Sequence, residues 1–180
     1  MIKLTFCVGL LFATWGAAAL ADSGKFQFVH GDVTLTRANG SRVVPVKGDR
    51  LEEGDIIATG AQAQTQIVMN DGGLIAMRPD SRMRIDQFRF NGTADGSEQS
   101  VFGLIKGGFR AITGLIGRVN KDNYKIRTAT ATIGIRGTDH EALYIAPPAP
   151  GETPVGPPGT YDKVNVGQTD LQTPAGRLEL

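Results

Sequence analysis

The sequence predicts an all-β domain, a Gly-rich antiparallel sandwich of jelly-roll-like type, with a β-roll or short β-solenoid as the alternative. Three observations carry this prediction. Glycine makes up 24 of the 180 residues and falls between short runs in which apolar and polar residues alternate, the pattern of many short strands joined by tight turns. Asn39-Gly40 and Asp71-Gly72 stand between pairs of such runs as hairpin turns. Gly-Asp units recur at 31–32, 48–49 and 54–55, which keeps the solenoid open, although no repeat of fixed period accompanies them.

Taken in order, the first clear unit is a hairpin. Val33 and Leu35 alternate with Thr34 and Thr36, Asn39-Gly40 turns the chain, and Arg42 to Val46 returns, with Pro45 marking an edge or bulge. Turns at Lys47-Gly48-Asp49 and Glu53-Gly54-Asp55 bracket Leu51. A short strand at Ile56-Ile57 ends at Thr59-Gly60. A second hairpin runs Thr65 to Met69, turns at Asn70 to Gly73, and returns over Leu74 to Met77. Pro79-Asp80-Ser81 is a further turn. Met83 and Ile85, then Phe88 and Phe90, read as inward residues. The change of parity at Gln87 predicts a bulge and leaves Arg82, Arg84 and Asp86 outward.

Asn91 to Ser97 is a surface loop. Val101–Ile105 and Gly108–Ile112 flank Lys106-Gly107 and predict another strand pair, with Gly103, Gly107 and Gly108 easing curvature. Tyr124 to Thr128 reads as a strand. Thr128-Ala129-Thr130-Ala131-Thr132 alternates small and β-branched residues, which extends the strand reading. It leads to Gly134-Ile135-Arg136-Gly137-Thr138-Asp139, where two glycines three apart predict a bend with close backbone approach. Arg136 can turn inward there and bind backbone carbonyls or a carboxylate; a ligand contact is its other reading. Residues 146–159 hold six of the nine prolines, a stiff loop insertion. Strand alternation resumes at Tyr161, Leu171 and Arg177.

Residues 1–21 read as a signal peptide, with an uncleaved N-terminal anchor as the competing reading: Lys3, an apolar run from Leu4 to Ala18, and Ala19-Leu20-Ala21 before Asp22. Residues 22–180 then form one domain with no transmembrane helix in the mature chain, exported to the periplasm or secreted after cleavage near Ala21. The single Cys, Cys7, and the single Trp, Trp15, lie in that leader. The mature chain therefore has no thiol for a disulfide, a metal or catalysis. Lys3 also departs, which leaves 18 basic against 18 acidic residues, a balance that does not point to nucleic acid.

The charge is uneven. Residues 78–127 hold ten basic and five acidic residues, among them Arg78, Arg82, Arg84, Arg89 and Arg110. These five form either a solvated sheet face or a surface for an anionic cell-envelope glycan or lipid head group.

Nothing in the sequence predicts a catalytic site, a metal or a cofactor. In a strand, His140 faces away from Asp139 and Glu141, so the three cannot converge on one ion without a bend. None of Ser23, Ser41, Ser81, Ser97 or Ser100 stands in a nucleophile-elbow context. Glu52-Glu53 lies in a turn, where paired acids are solvated. Asp71-Gly72 lacks the repeated carboxylates of a calcium loop, and Gly107-Gly108 lacks the Lys-Ser/Thr ending of a phosphate loop.

The Gly134–Asp139 element, together with Gly31-Asp32-Val33, Leu51 to Gly60, Asp71-Gly72 and Leu104 to Phe109, resembles the FecR domain, named after a regulator of iron-citrate transport. The resemblance covers about residues 28–145; His140 departs from it, standing where an aromatic residue is more usual. It implies a periplasmic module of protein–protein signalling, or a stand-alone relative of that module, with an envelope protein as partner. In the family's sigma regulators, a cytoplasmic part and a membrane helix precede the domain. Here a cleavable leader stands in their place, so the transmembrane mechanism is not implied; the sheet scaffold and its capacity to bind a partner, by strand pairing at an edge, are.

Overall fold

The computed structural model describes residues 22–180 except 94, 152 and 154. The signal-peptide reading therefore lies outside the described residues. Fifteen strands are present among them, laid out as two sheets that share one strand. The first sheet has the order β4 (Arg50–Glu52), β1 (Asp22–His30), β6 (Gln64–Met69), β7 (Leu74–Met77), β9 (Gln99–Ile112), β12 (Asp139–Ile145) and β13 (Gly159–Val166). The second has β3 (Arg42–Val43), β2 (Val33–Thr36), β5 (Ile56–Thr59), β8 (Arg82–Arg89), β9, β10 (Tyr124–Arg127), β11 (Thr132–Ile135), β14 (Thr169–Thr173) and β15 (Gly176–Glu179). The result is an all-β, sandwich-like fold whose sheet does not close.

The period-2 patterns explain the core. Phe26, Ile67, Ile75 and Phe109 of the first sheet and Leu35, Ile57, Met83, Phe102 and Ile133 of the second are buried in one cluster. The predicted hairpins form at Asn39-Gly40 and Asp71-Gly72, and the register of β8 against β9 slips between Ile85 and Gln87, where the parity change places a bulge.

Three expectations change. Residues 101–112 are not a strand pair but one strand, β9, which bends at Gly107 and passes from the second sheet to the first. Gly107 has φ +72°, and a Cβ there would lie 2.4 Å from the Ser81 hydroxyl oxygen. That hydroxyl holds the bend, accepting from the Gly108 N–H at 2.9 Å and donating to the Gly108 carbonyl at 2.9 Å.

The Thr128–Ala131 alternation is a turn between β10 and β11. The Thr128 hydroxyl accepts from the Thr130 and Ala131 N–H groups at 3.1 and 3.0 Å, which closes the backbone on itself.

The third is a helix, α1 (Leu115–Val119), followed by a 3₁₀ turn over Lys121–Asn123; the sequence reading assigned no element there. β10 runs parallel to β9, and parallel neighbours need a crossover of about a dozen residues, which residues 113–123 supply. β1 is likewise an element that the sequence pattern does not mark. The Asp71 carboxylate anchors the crossover, accepting from the N–H groups of Gly73 and Ile116 at 3.0 and 3.3 Å. Burial pushes its pKa up, against those two bonds. A Cβ on Gly114 would come 2.4 Å from that carboxylate.

Candidate interaction faces

The Gly134–Asp139 element carries the chain from β11 in the second sheet to β12 in the first. Gly134 is the close approach: a Cβ there would lie 2.5 Å from Oδ1 of Asp170 on β14. Gly137 turns the chain at φ +67°. Ile135 is buried. Thr138 is buried as well: its N–H donates to the Thr113 hydroxyl at 3.1 Å, and that hydroxyl donates to the Thr138 carbonyl at 2.8 Å. Arg136 does not turn inward. Its side chain is 47% exposed and pairs with Glu179 at 3.8 Å, while its backbone N–H donates to the Gln168 carbonyl at 2.8 Å. The reason is the alternation of β11: Ile133 and Ile135 take the inner face, so the position after Ile135 points to solvent. The return crossing at Gly167 runs beside this one, and a Cβ on Gly167 would lie 2.4 Å from the Gly137 carbonyl.

His140 is inward, as the alternation requires, and Asp139 and Glu141 are outward. Its Nδ1 lies 2.7 Å from Oδ1 of Asp162 on β13, and both side chains are fully buried. The Tyr124 ring packs edge-on against the imidazole, with centroids 6.5 Å apart. The Tyr124 hydroxyl, His140 Nε2 and Asp162 Oδ2 are buried without a hydrogen-bond partner, and desolvation pushes the Tyr124 phenol far up. Sequence reasoning missed the pair because Asp162 lies 22 residues away, beyond the Pro-rich loop. A His–carboxylate pair is a catalytic constellation when it reaches substrate; this one faces the core.

The outer faces differ. On the first sheet, Arg110 and Asp139 form two bonds, of 2.8 and 2.5 Å, and the Arg110 hydrogen bond holds the Asp139 carboxyl below the usual carboxylate range. Arg78 and Lys163 both pair with Glu141, and Asn165 donates to Asp139 at 3.3 Å. Arg82, Arg84 and Arg89 lie instead on β8 in the second sheet, exposed on its outer face. The five arginines read as one surface are thus divided between two sheets. The reason is the bend at Gly107 and the turn at Pro79–Ser81, which carry the chain from one sheet to the other within the basic stretch.

The outer face of the second sheet holds shallow depressions. One of about 250 Å³, where β10 ends, is lined by Arg84, Gly103 and Arg127 together with Leu104 and with Tyr144 from β12 of the first sheet. Another, of about 360 Å³, is lined by Lys121, Lys125, Gly134 and Arg177 and by the carboxylates of Asp122 and Asp170. Among the described residues, no cluster of three or more His, Cys, Asp or Glu side chains could hold a metal ion, and no helix is long and apolar enough to cross a membrane.

An open β-sandwich whose sheets exchange strands at a Gly-Ile-Arg-Gly-Thr crossover is the class of protein that this geometry defines. A family model described as FecR protein matches residues 55–146, just over half of the chain, and the chain belongs to that family. The matched span starts later than the resemblance at residue 28 and ends one residue beyond its limit at 145. No curated protein matches the chain.

Among solved structures, the chain is similar to a cell surface anchoring domain, at 27% identity over 34% of this chain and 82% of that one, with a TM-score of 0.33. It is also similar to two crystal structures of a proposed anti-sigma factor from Parabacteroides distasonis ATCC 8503. These are 14% and 15% identical, cover 69% of this chain and 50% of that one, and have TM-scores of 0.49 and 0.48. The chain thus spans half the length of the anti-sigma factor structures.

Proposed function

We propose that this FecR-family chain is an exported, non-catalytic β-scaffold in which residues 22–180 act as one module. It mediates protein–protein interaction or signalling in the cell envelope by adding a partner's strand to a sheet edge. The observation that carries this reading is β13. It is an edge strand of eight residues that pairs, among the described residues, only with β12, whereas the other edges, β3, β4 and β15, have two, three and four residues. An edge of that length offers a row of backbone donors and acceptors to a second chain. The Gly134–Asp139 element serves this scaffold as the joint between sheets, and the buried His140–Asp162 pair holds β13 to the core. The leader-like residues 1–21 support export.

The experiment places a photo-crosslinking amino acid at Tyr161, which is exposed on β13, and a second at Arg84 on the opposite face. One envelope protein captured from Tyr161 and not from Arg84 supports strand addition. Capture of the same set from both positions, or of nothing from Tyr161, sinks it. Export is tested by the mass of the periplasmic form, which should begin at Asp22.

A further inference from the structure

The geometry points to a binding track for an acidic, carboxylate-bearing glycan across the outer face of the second sheet, centred on Arg127 and Lys125. It does not depend on any protein partner. Following the register from strand to strand, Arg84 stands opposite Gly103, Gly103 opposite Arg127, Arg127 opposite Thr132, Thr132 opposite Gln172, and Gln172 opposite Arg177. These six positions form one row perpendicular to the strands. With strands about 4.8 Å apart, Arg84 and Arg127 are separated by about 10 Å, Arg127 and Arg177 by about 14 Å, and the row spans about 24 Å.

The residues between the arginines are small or uncharged, so the row is a shallow trough. The two depressions at Gly103 and Gly134 lie along it. The charge is least compensated at the centre. Arg84 pairs with Asp86 and Arg177 with Asp170, whereas Arg127 and Lys125, both on β10, form no ion pair among the described residues. Arginine forks suit carboxylates, while the Thr132 hydroxyl and the Gln172 carbonyl suit sugar hydroxyls. The Gln172 amide N–H already donates to Asp170 at 2.8 Å, which leaves its carbonyl as the group that can accept. Single-stranded nucleic acid would need aromatic platforms, and the exposed aromatic residues, Phe28 and Tyr161, lie on β1 and β13 of the other sheet.

The test uses the whole mature chain, residues 22–180, on immobilised polygalacturonate, with polyphosphate and neutral dextran as comparators. Polygalacturonate should be retained, dextran should not, and retention should weaken steeply as salt rises. Arg127→Glu and Lys125→Gln should each weaken binding, Arg127→Glu about tenfold, the scale of one lost charge-assisted contact. Arg110→Ala, on the opposite face, should leave it unchanged. Near-UV circular dichroism verifies that each variant is folded. Retention that Arg127→Glu leaves intact, or that Arg110→Ala lowers equally, overturns the site. Preference for polyphosphate overturns the glycan assignment in favour of a phosphate polymer, and retention of neither polyanion overturns the proposal outright.

Discussion

The two outer faces of the sandwich use the same residue types to different ends. On the first sheet, Arg78, Arg110 and Lys163 meet Asp139 and Glu141 across β9, β12 and β13, and the charges close on one another. On the second sheet, Arg82, Arg89, Arg127 and Lys125 stand without ion pairs among the described residues, and Asp86, Asp170 and Glu179 are already engaged by other arginines. Both faces draw on the stretch that composition marks as basic. Strand register decides which cations are spent in the fold and which are left for solvent or a ligand.

The largest effect is expected at the strand that the two faces share. Gly107→Val introduces a β-branched side chain at φ +72° and drives a Cβ into the Ser81 hydroxyl. The expected loss is about 4 kcal/mol or more, read as a shifted urea midpoint, and both faces should unfold together. A variant that melts one sheet before the other would contradict the shared-strand account.

A smaller effect confined to the first sheet is expected from Asp162→Ala. It leaves His140 buried without its carboxylate and should cost about 3 kcal/mol, with hydrogen exchange rising in β12 and β13 before β10 and β11. Asp71→Ala strips two N–H groups of their acceptor at the crossover and should cost about 2 kcal/mol, with exchange rising over α1.

The smallest effect is expected at the surface pair. Asp139 has a folded pKa below its unfolded one, so its contribution to stability is present above the unfolded value and lost as pH falls through the folded value. Arg110→Ala should return Asp139 toward the ordinary range. Its small deficit at neutral pH should then vanish in acid, where wild type and variant converge. A deficit that persists below the carboxylate range would assign the effect to packing instead.

Much of the sheet was readable because local chemistry dictates it. Asn39-Gly40 and Asp71-Gly72 are turns wherever they stand between alternating runs, and the parity change at Gln87 can be accommodated only by a bulge. What could not be read depends on distant atoms. Lys106-Gly107 has the composition of a turn between strands; it becomes a bend within one strand because Ser81, some 27 residues earlier, clasps Gly108 from both sides. Thr128–Ala131 alternates like a strand, and one hydroxyl makes it a turn. The basic surplus was visible, but its division between faces was not, since Arg78 and Arg82 lie four positions apart and on different sheets. Asp162 carried no local sign that it would meet His140.

Considered mechanically, β9 is an axle. It is laddered to β7 and β12 on one side of its bend and to β8 and β10 on the other, so separating the sheets means tearing two seams at once on one side of the bend rather than sliding two plates apart. A pull on either face is borne by the same fourteen residues, and the molecule should yield under tension as one body.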